Sequence, residues 1–197
     1  MNSPWWTQAR IRTLARWEFA RYPAISQRWP QPCAEAQALI DQLGLQPLEP
    51  EGGWFRRTWS SDRRILLGQG EERLLGTSIY FLITSAVFSR IHQVPGPELF
   101  HFYQGDPVEL FDFNPSGGIE RRLLGADPSQ GQSHQVLVPG GHWQACRVAG
   151  QGRFALLGTT MSPGFADEDF RLAGREDMRP WMAEAGGLIE QLLAATS

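Results

Sequence analysis

The chain has 197 residues, 42% of them hydrophobic, and a formal net charge of -3. That length suits one domain with a sizeable core, and the mild acidity argues against nucleic acid as the main partner. No apolar run approaches the roughly 20 residues of a membrane helix, the N-terminus lacks the apolar core and cleavage site of a secretory signal, and Cys33 and Cys146 do not have the pattern of a disulfide framework or metal cluster, so a cytoplasmic protein is expected.

Residues 1–34 read as a helical extension. Ile11, Leu14, Trp17 and Phe19 fall near helical spacing, and Pro23, Pro30 and Pro32 end the pattern. Its tryptophans Trp5, Trp6, Trp17 and Trp29 are expected to pack on the domain or on a second subunit. Residues 34–45 form a helix with Leu39, Ile40 and Leu43 as its stripe and Gly44 as its stop. QPLEPEGG leads into the main domain, residues 35–182 counted with that helix. From Trp54 to about Phe170 the signals are strands: WFRRTW, TSIYFLITS, ELFHFY, PVELFDF, HQVLVP, WQACRV and FALLGTTM. QGD, between the third and fourth, reads as a hairpin turn. Short strands with Gly/Pro punctuation predict a sandwich or barrel. Residues 183–197 return to helix.

His92 and Glu98 lead the chemistry. On adjacent strands of a small barrel they would point inward together, suited to a divalent metal or to acid/base work; a strand-end hydrogen-bonded pair is the structural alternative. Alternation puts Glu98, Phe100 and Phe102 on one face and Leu99, His101 and Tyr103 on the other. Phe100 would then line the same pocket. Gln144 follows the VPGGHW turn, shares a face with Cys146 and Val148, and needs a hydrogen-bond partner from a ligand or the backbone. After the Gly-Gly turn, Arg56, Thr58 and Ser60 alternate with Arg57 and Trp59, and an inward arginine would anchor an anion. The carboxylates Asp167, Glu168 and Asp169 read as a surface loop.

Taken together, LIDQLGLQPLEPEGGWFRRTW, TSIYFL, the S-x-x-H-x-V run, PELFHFYQGDP, VPGGHWQA and LLGTTMSPGFADEDF resemble the Cupin_5 (DUF985) family, a branch of the cupin superfamily. The resemblance spans about residues 35–182. It implies a mainly β fold, the double-stranded β-helix or jelly-roll barrel with flanking helices, assembled as a homodimer around a barrel pocket. In the cupin pattern His92 takes the first histidine place, Val94 stands where the second should be, and Glu98 and Gly105 match. Pro139 and Gly141 match in the second motif, and Gln144 replaces the third histidine. Glu49 stands where the family's loop commonly has histidine.

Three readings follow. In the first, a cupin without metal binds or isomerises a small molecule: His92 is a base, Glu98 its partner or acid, and Arg56, Thr58, Tyr80, Phe100 and Gln144 hold the substrate. Similarity to sugar-epimerase cupins, which use a histidine base and a tyrosine acid, makes Tyr80 and Tyr103 candidates. In the second, the pocket binds or stores a ligand unchanged. In the third, a metal on His92, Glu98 and Gln144, completed by His101 or His142, supports dioxygenase or isomerase chemistry. His142 is expected to face solvent. No cofactor is expected, and the partners are a small molecule and a second copy of the chain, with no membrane and no nucleic acid.

Overall fold

The structure, a computed structural model, describes residues 29–194. Residues 1–28 of the expected arm, with three of its four tryptophans, lie outside that range. Helix α1 (Ala34–Leu43) ends on Gly44, whose left-handed φ of 60° closes the last turn. Then come β1 (Gln46–Pro47), β2 (Trp54–Ser60), the small hairpin β3 (Arg64–Leu66) and β4 (Glu72–Leu74), and β5 (Thr77–Thr84). The centre of the chain runs β6 (Ser89–Gln93), β7 (Glu98–Gly105), β8 (Val108–Phe113), β9 (Ile119–Leu124) and β10 (Gln132–Ser133). It finishes with β11 (Gln135–Val138), β12 (Trp143–Val148), β13 (Phe154–Met161), β14 (Arg171–Leu172) and α2 (Met182–Leu193).

The described residues form two six-stranded sheets. The first is ordered β1-β2-β5-β13-β7-β11 and the second β10-β9-β8-β12-β6-β14. Period-2 alternation explains why they face each other. Phe81, Ile83, Phe100, Val136, Ala155 and Leu157 from the first sheet pack against Val108, Leu110, Leu124, Cys146 and Val148 from the second. The intervening residues face outward and bury against helices. Trp54, Leu82, Phe154 and Leu156 pack under α1. Phe111, Phe113, Trp143 and Ala145 pack under α2 and Trp181. Each sheet thus packs its inner face on the other sheet and part of its outer face on a flanking helix.

QGD is not a hairpin turn. The strand before it, β7, pairs with β13 and β11, and the strand after it, β8, pairs with β12 and β9. Gly105 has φ 102°, and a Cβ there would meet the Phe154 carbonyl oxygen at 2.5 Å, so the chain passes close over β13 before changing sheets. Asp106 fixes the crossing: its carboxylate accepts the Arg153 backbone N–H at 2.7 Å, and its own N–H donates to Phe154 O at 2.8 Å.

Leu157 is fully buried between the sheets, whereas Leu66 is 70% exposed. Leu157→Ala should lower the unfolding free energy by about 3 kcal/mol through lost transfer energy and a cavity, and Leu66→Ala should change it by less than about 0.5 kcal/mol. Urea denaturation of both variants checks the contrast.

Candidate functional site

β6 and β7 follow one another in sequence but lie in opposite sheets. His92 and Glu98 are therefore not on adjacent paired strands; they face each other across the barrel. Gln144 closes the gap. On β12 it is the cross-strand partner of His92, and its side chain reaches both groups. Its Nε2 donates to Glu98 Oε2 at 2.6 Å and lies 3.0 Å from His92 Nε2. All three residues are buried. Val94, in the second-histidine place, is buried apolar.

The contacts set the tautomer of His92. Nδ1 lies 2.9 Å from the Arg90 carbonyl oxygen, which can only accept, so Nδ1 carries the hydrogen. Nε2 is then the bare nitrogen and accepts from Gln144. Phe170 stacks on the ring at 5.4 Å with planes 22° apart. One atom of the bridge is left over. Gln144 Oε1 is buried and has no hydrogen-bond partner among the described residues, a costly state for an amide oxygen.

Glu51 belongs to the site and was missed from sequence, where QPLEPEGG reads only as a loop. Its carboxylate accepts from Ser89 Oγ at 2.7 Å and lies 3.9 Å from His92 Nδ1. Gly52 makes this entry feasible: at φ 116° a Cβ would strike Phe88 O at 2.1 Å. Burial raises the Glu51 pKa, and nearby Glu98 adds to that rise while His92 opposes it. Burial also pushes the Cys146 thiol up, well beyond its ordinary value, so it acts as core rather than as a nucleophile.

The other expected site residues separate. Phe100 is buried on the inner face. Arg56 and Thr58 are exposed. Arg56 pairs in register with Tyr80 and stacks over its ring at 5.6 Å, and Tyr80 meets Tyr103 edge-on at 5.8 Å. Tyr80 packs with the α1 cluster outside the barrel. The structure thus does not bring Arg56, Thr58 or Tyr80 to His92. The inner position goes to Arg57, the cross-strand partner of Ile79, whose guanidinium lies over Phe165 at 5.9 Å. His142 does not face solvent as expected: its side chain is 17% exposed and is bound to Asp112.

The residues suit a metal poorly. A metal would need His92 Nε2, a Glu98 oxygen and the Gln144 carbonyl oxygen each within about 2.2 Å. Instead the Gln144 amide nitrogen occupies both partners, and turning the amide would set an oxygen against the Glu98 carboxylate. Among the described residues no group of three or more His, Cys, Asp or Glu side chains gathers as metal ligands do.

A family model, Cupin_5, described as Cupin superfamily (DUF985), matches residues 37–173. An uncharacterised protein of Saccharomyces cerevisiae is 26% identical over 162 residues, covering 75% of this chain and 80% of its own. A hypothetical protein from Leishmania major has a TM-score of 0.73 at 28% identity, covering 80% of this chain and 97% of its own. A protein from Shewanella oneidensis has a TM-score of 0.72 at 28% identity, covering 81% and 98%.

The raised Glu51 pKa has a consequence for stability. The unfolded chain releases this proton at a lower pH than the native one, so ionisation opposes folding as pH rises from the ordinary carboxylate range to the native pKa. Glu51→Gln removes that penalty. Its stability relative to the parent should rise with pH across this window, by up to about 1.4 kcal/mol per pH unit, and level off above it. Urea unfolding at several pH values checks this, and a pH-independent difference would contradict it.

Proposed function

This chain belongs to the Cupin_5 (DUF985) family of the cupin superfamily, and from that premise we propose that it binds a small hydroxyl-bearing molecule beside Gln144 and moves a proton on it without a resident metal. The observation that carries the reading is the orphaned, buried Gln144 Oε1 next to the bare Nε2 of His92. A ligand hydroxyl would donate to that oxygen and satisfy it. His92 Nε2 would act as the base once Gln144 turns toward the ligand. Glu98, which accepts from Gln144 Nε2, is its partner through that amide, and Phe170 keeps the imidazole from rotating. A buried imidazole with one bare nitrogen suits proton transfer at carbon next to a carbonyl, the chemistry of isomerases and epimerases.

A second reading is that the pocket only binds. It is favoured by one observation: both His92 nitrogens already have partners. We further place the protein in the cytoplasm, since Cys33 and Cys146 are both free thiols. We take it to be a homodimer, because Trp59, Tyr103 and Leu137, each about half exposed, present large apolar side chains on the outer face of the first sheet.

Proton NMR in D2O tests the first reading, with a mixture of aldoses, ketoses, their phosphates and uronic acids as probe. The protein should catalyse loss of one component's α-proton signal. His92→Ala should slow that exchange by roughly 100-fold or more while circular dichroism stays native. Binding of a component without exchange selects the non-catalytic reading, and unchanged exchange in His92→Ala ends the role assigned to His92.

A further inference from the structure

A second histidine lies on the same inner face as His92 and has the geometry of an aligned base. His142 Nδ1 lies 2.7 Å from Asp112 Oδ1, and Arg122 Nη2 donates to Asp112 Oδ2 at 2.9 Å. Both Asp112 oxygens are thus engaged, and the residue is buried. Nδ1–H donates to the carboxylate, so the lone pair of His142 sits on Nε2. That nitrogen has no partner among the described residues, and it is not one of the atoms sealed from solvent.

The neighbourhood ties His142 to the candidate site. Asp112 on β8 and His92 on β6 are the two cross-strand partners of Gln144 on β12. Two strand spacings, roughly 10 Å, separate them, a gap that a small metabolite can bridge. The turn carrying His142 is fastened to the loop between His92 and Glu98. Gly141 N–H donates to Val94 O at 2.8 Å, and Gln93 Nε2 donates to Gly141 O at 2.6 Å. At Gly140 a Cβ would strike Pro95 O at 2.2 Å, so the turn packs directly on that loop.

We propose that His142, aligned by Asp112 and Arg122, is a second proton-transfer group that acts opposite His92 on the molecule bound at Gln144; this rests on the isomerase-type reading above. In the forward step His92 Nε2 removes a proton from carbon next to a carbonyl; the C–H pair becomes the new C=C bond and the carbonyl π pair moves onto oxygen, giving an enediolate. The His142 imidazolium then returns a proton to the same carbon of the enediolate from its own side, and the oxygen pair re-forms the carbonyl. His92 ends protonated and His142 neutral, and exchange with solvent resets both. No redox partner is needed. Asp112 is the positioning residue: by accepting from Nδ1 it fixes the ring and leaves Nε2 for the molecule.

The test uses the full chain. With diethylpyrocarbonate as probe and peptide mass spectrometry as readout, His142 should be labelled and His92, with both nitrogens engaged, should not. Asp112→Asn should lose that labelling, because an amide N–H facing Nδ1 moves the ring hydrogen to Nε2. Imidazole 15N shifts should report the same tautomer change, and Asp112→Glu should restore labelling. In the D2O assay, His142→Asn should retain exchange driven by His92 and lose interconversion of the two isomers. Labelling of His142 no faster than His92, labelling unaffected in Asp112→Asn, or unchanged interconversion in His142→Asn would each overturn the proposal. A failure of the His92 reading shows differently: exchange persists in His92→Ala while His142 labelling stays as in the parent.

Discussion

Gln144 stands where the two sheets of the barrel meet the chemistry, and its side-chain amide sets the character of the site. One nitrogen serves a carboxylate from the first sheet and an imidazole from the second. That bridge satisfies two buried polar groups that would otherwise each be costly. It also uses the lone pair a metal would need. The amide oxygen remains without a protein partner, and it gives the buried end of the barrel an unmet demand for a donor.

The rest of the structure holds that amide in place. Gln144 is fixed from both sides in a central strand, by β6 and β8. α2 covers the outer face of that sheet, and Arg90 links the His92 strand to the helix end by donating to Leu193 O at 2.9 Å. Beneath His92, the Gly52–Gly53 turn brings Glu51 and Ser89 together. Polar groups therefore line up at one end of the barrel, from Glu51 through His92 and Gln144 to Asp112 and His142, beside an apolar interior.

Much of this was legible in the sequence for identifiable reasons. Strand alternation placed Glu98, Phe100 and Phe102 on one face, because period 2 is a property of the backbone. The cupin pattern singled out His92, Glu98 and Gln144, and these three converge. Alternation could not tell which face of β2 is inside. Arg56 and Arg57 are equivalent by pattern, and only the register that sets Arg57 against Ile79 and Arg56 against Tyr80 decides for Arg57. QGD looked like a hairpin because turn chemistry is local, whereas the choice of sheet is made by distant β12 and β13. Glu51 was missed because a loop residue has no periodicity. The Pro-Glu-Gly-Gly run was the available signal, since paired glycines announce a close backbone approach. His142 was read as exposed because its partner Asp112 lies 30 residues away.

Elemental analysis of protein purified without affinity tag or chelator tests the central claim most directly. If the Gln144 amide closes the His92–Glu98 gap, the protein carries well under one transition metal ion per chain, and His92→Ala does not change that content. Near-stoichiometric iron, manganese, nickel or zinc that disappears in His92→Ala would contradict the account and return His92, Glu98 and Gln144 to the role of metal ligands.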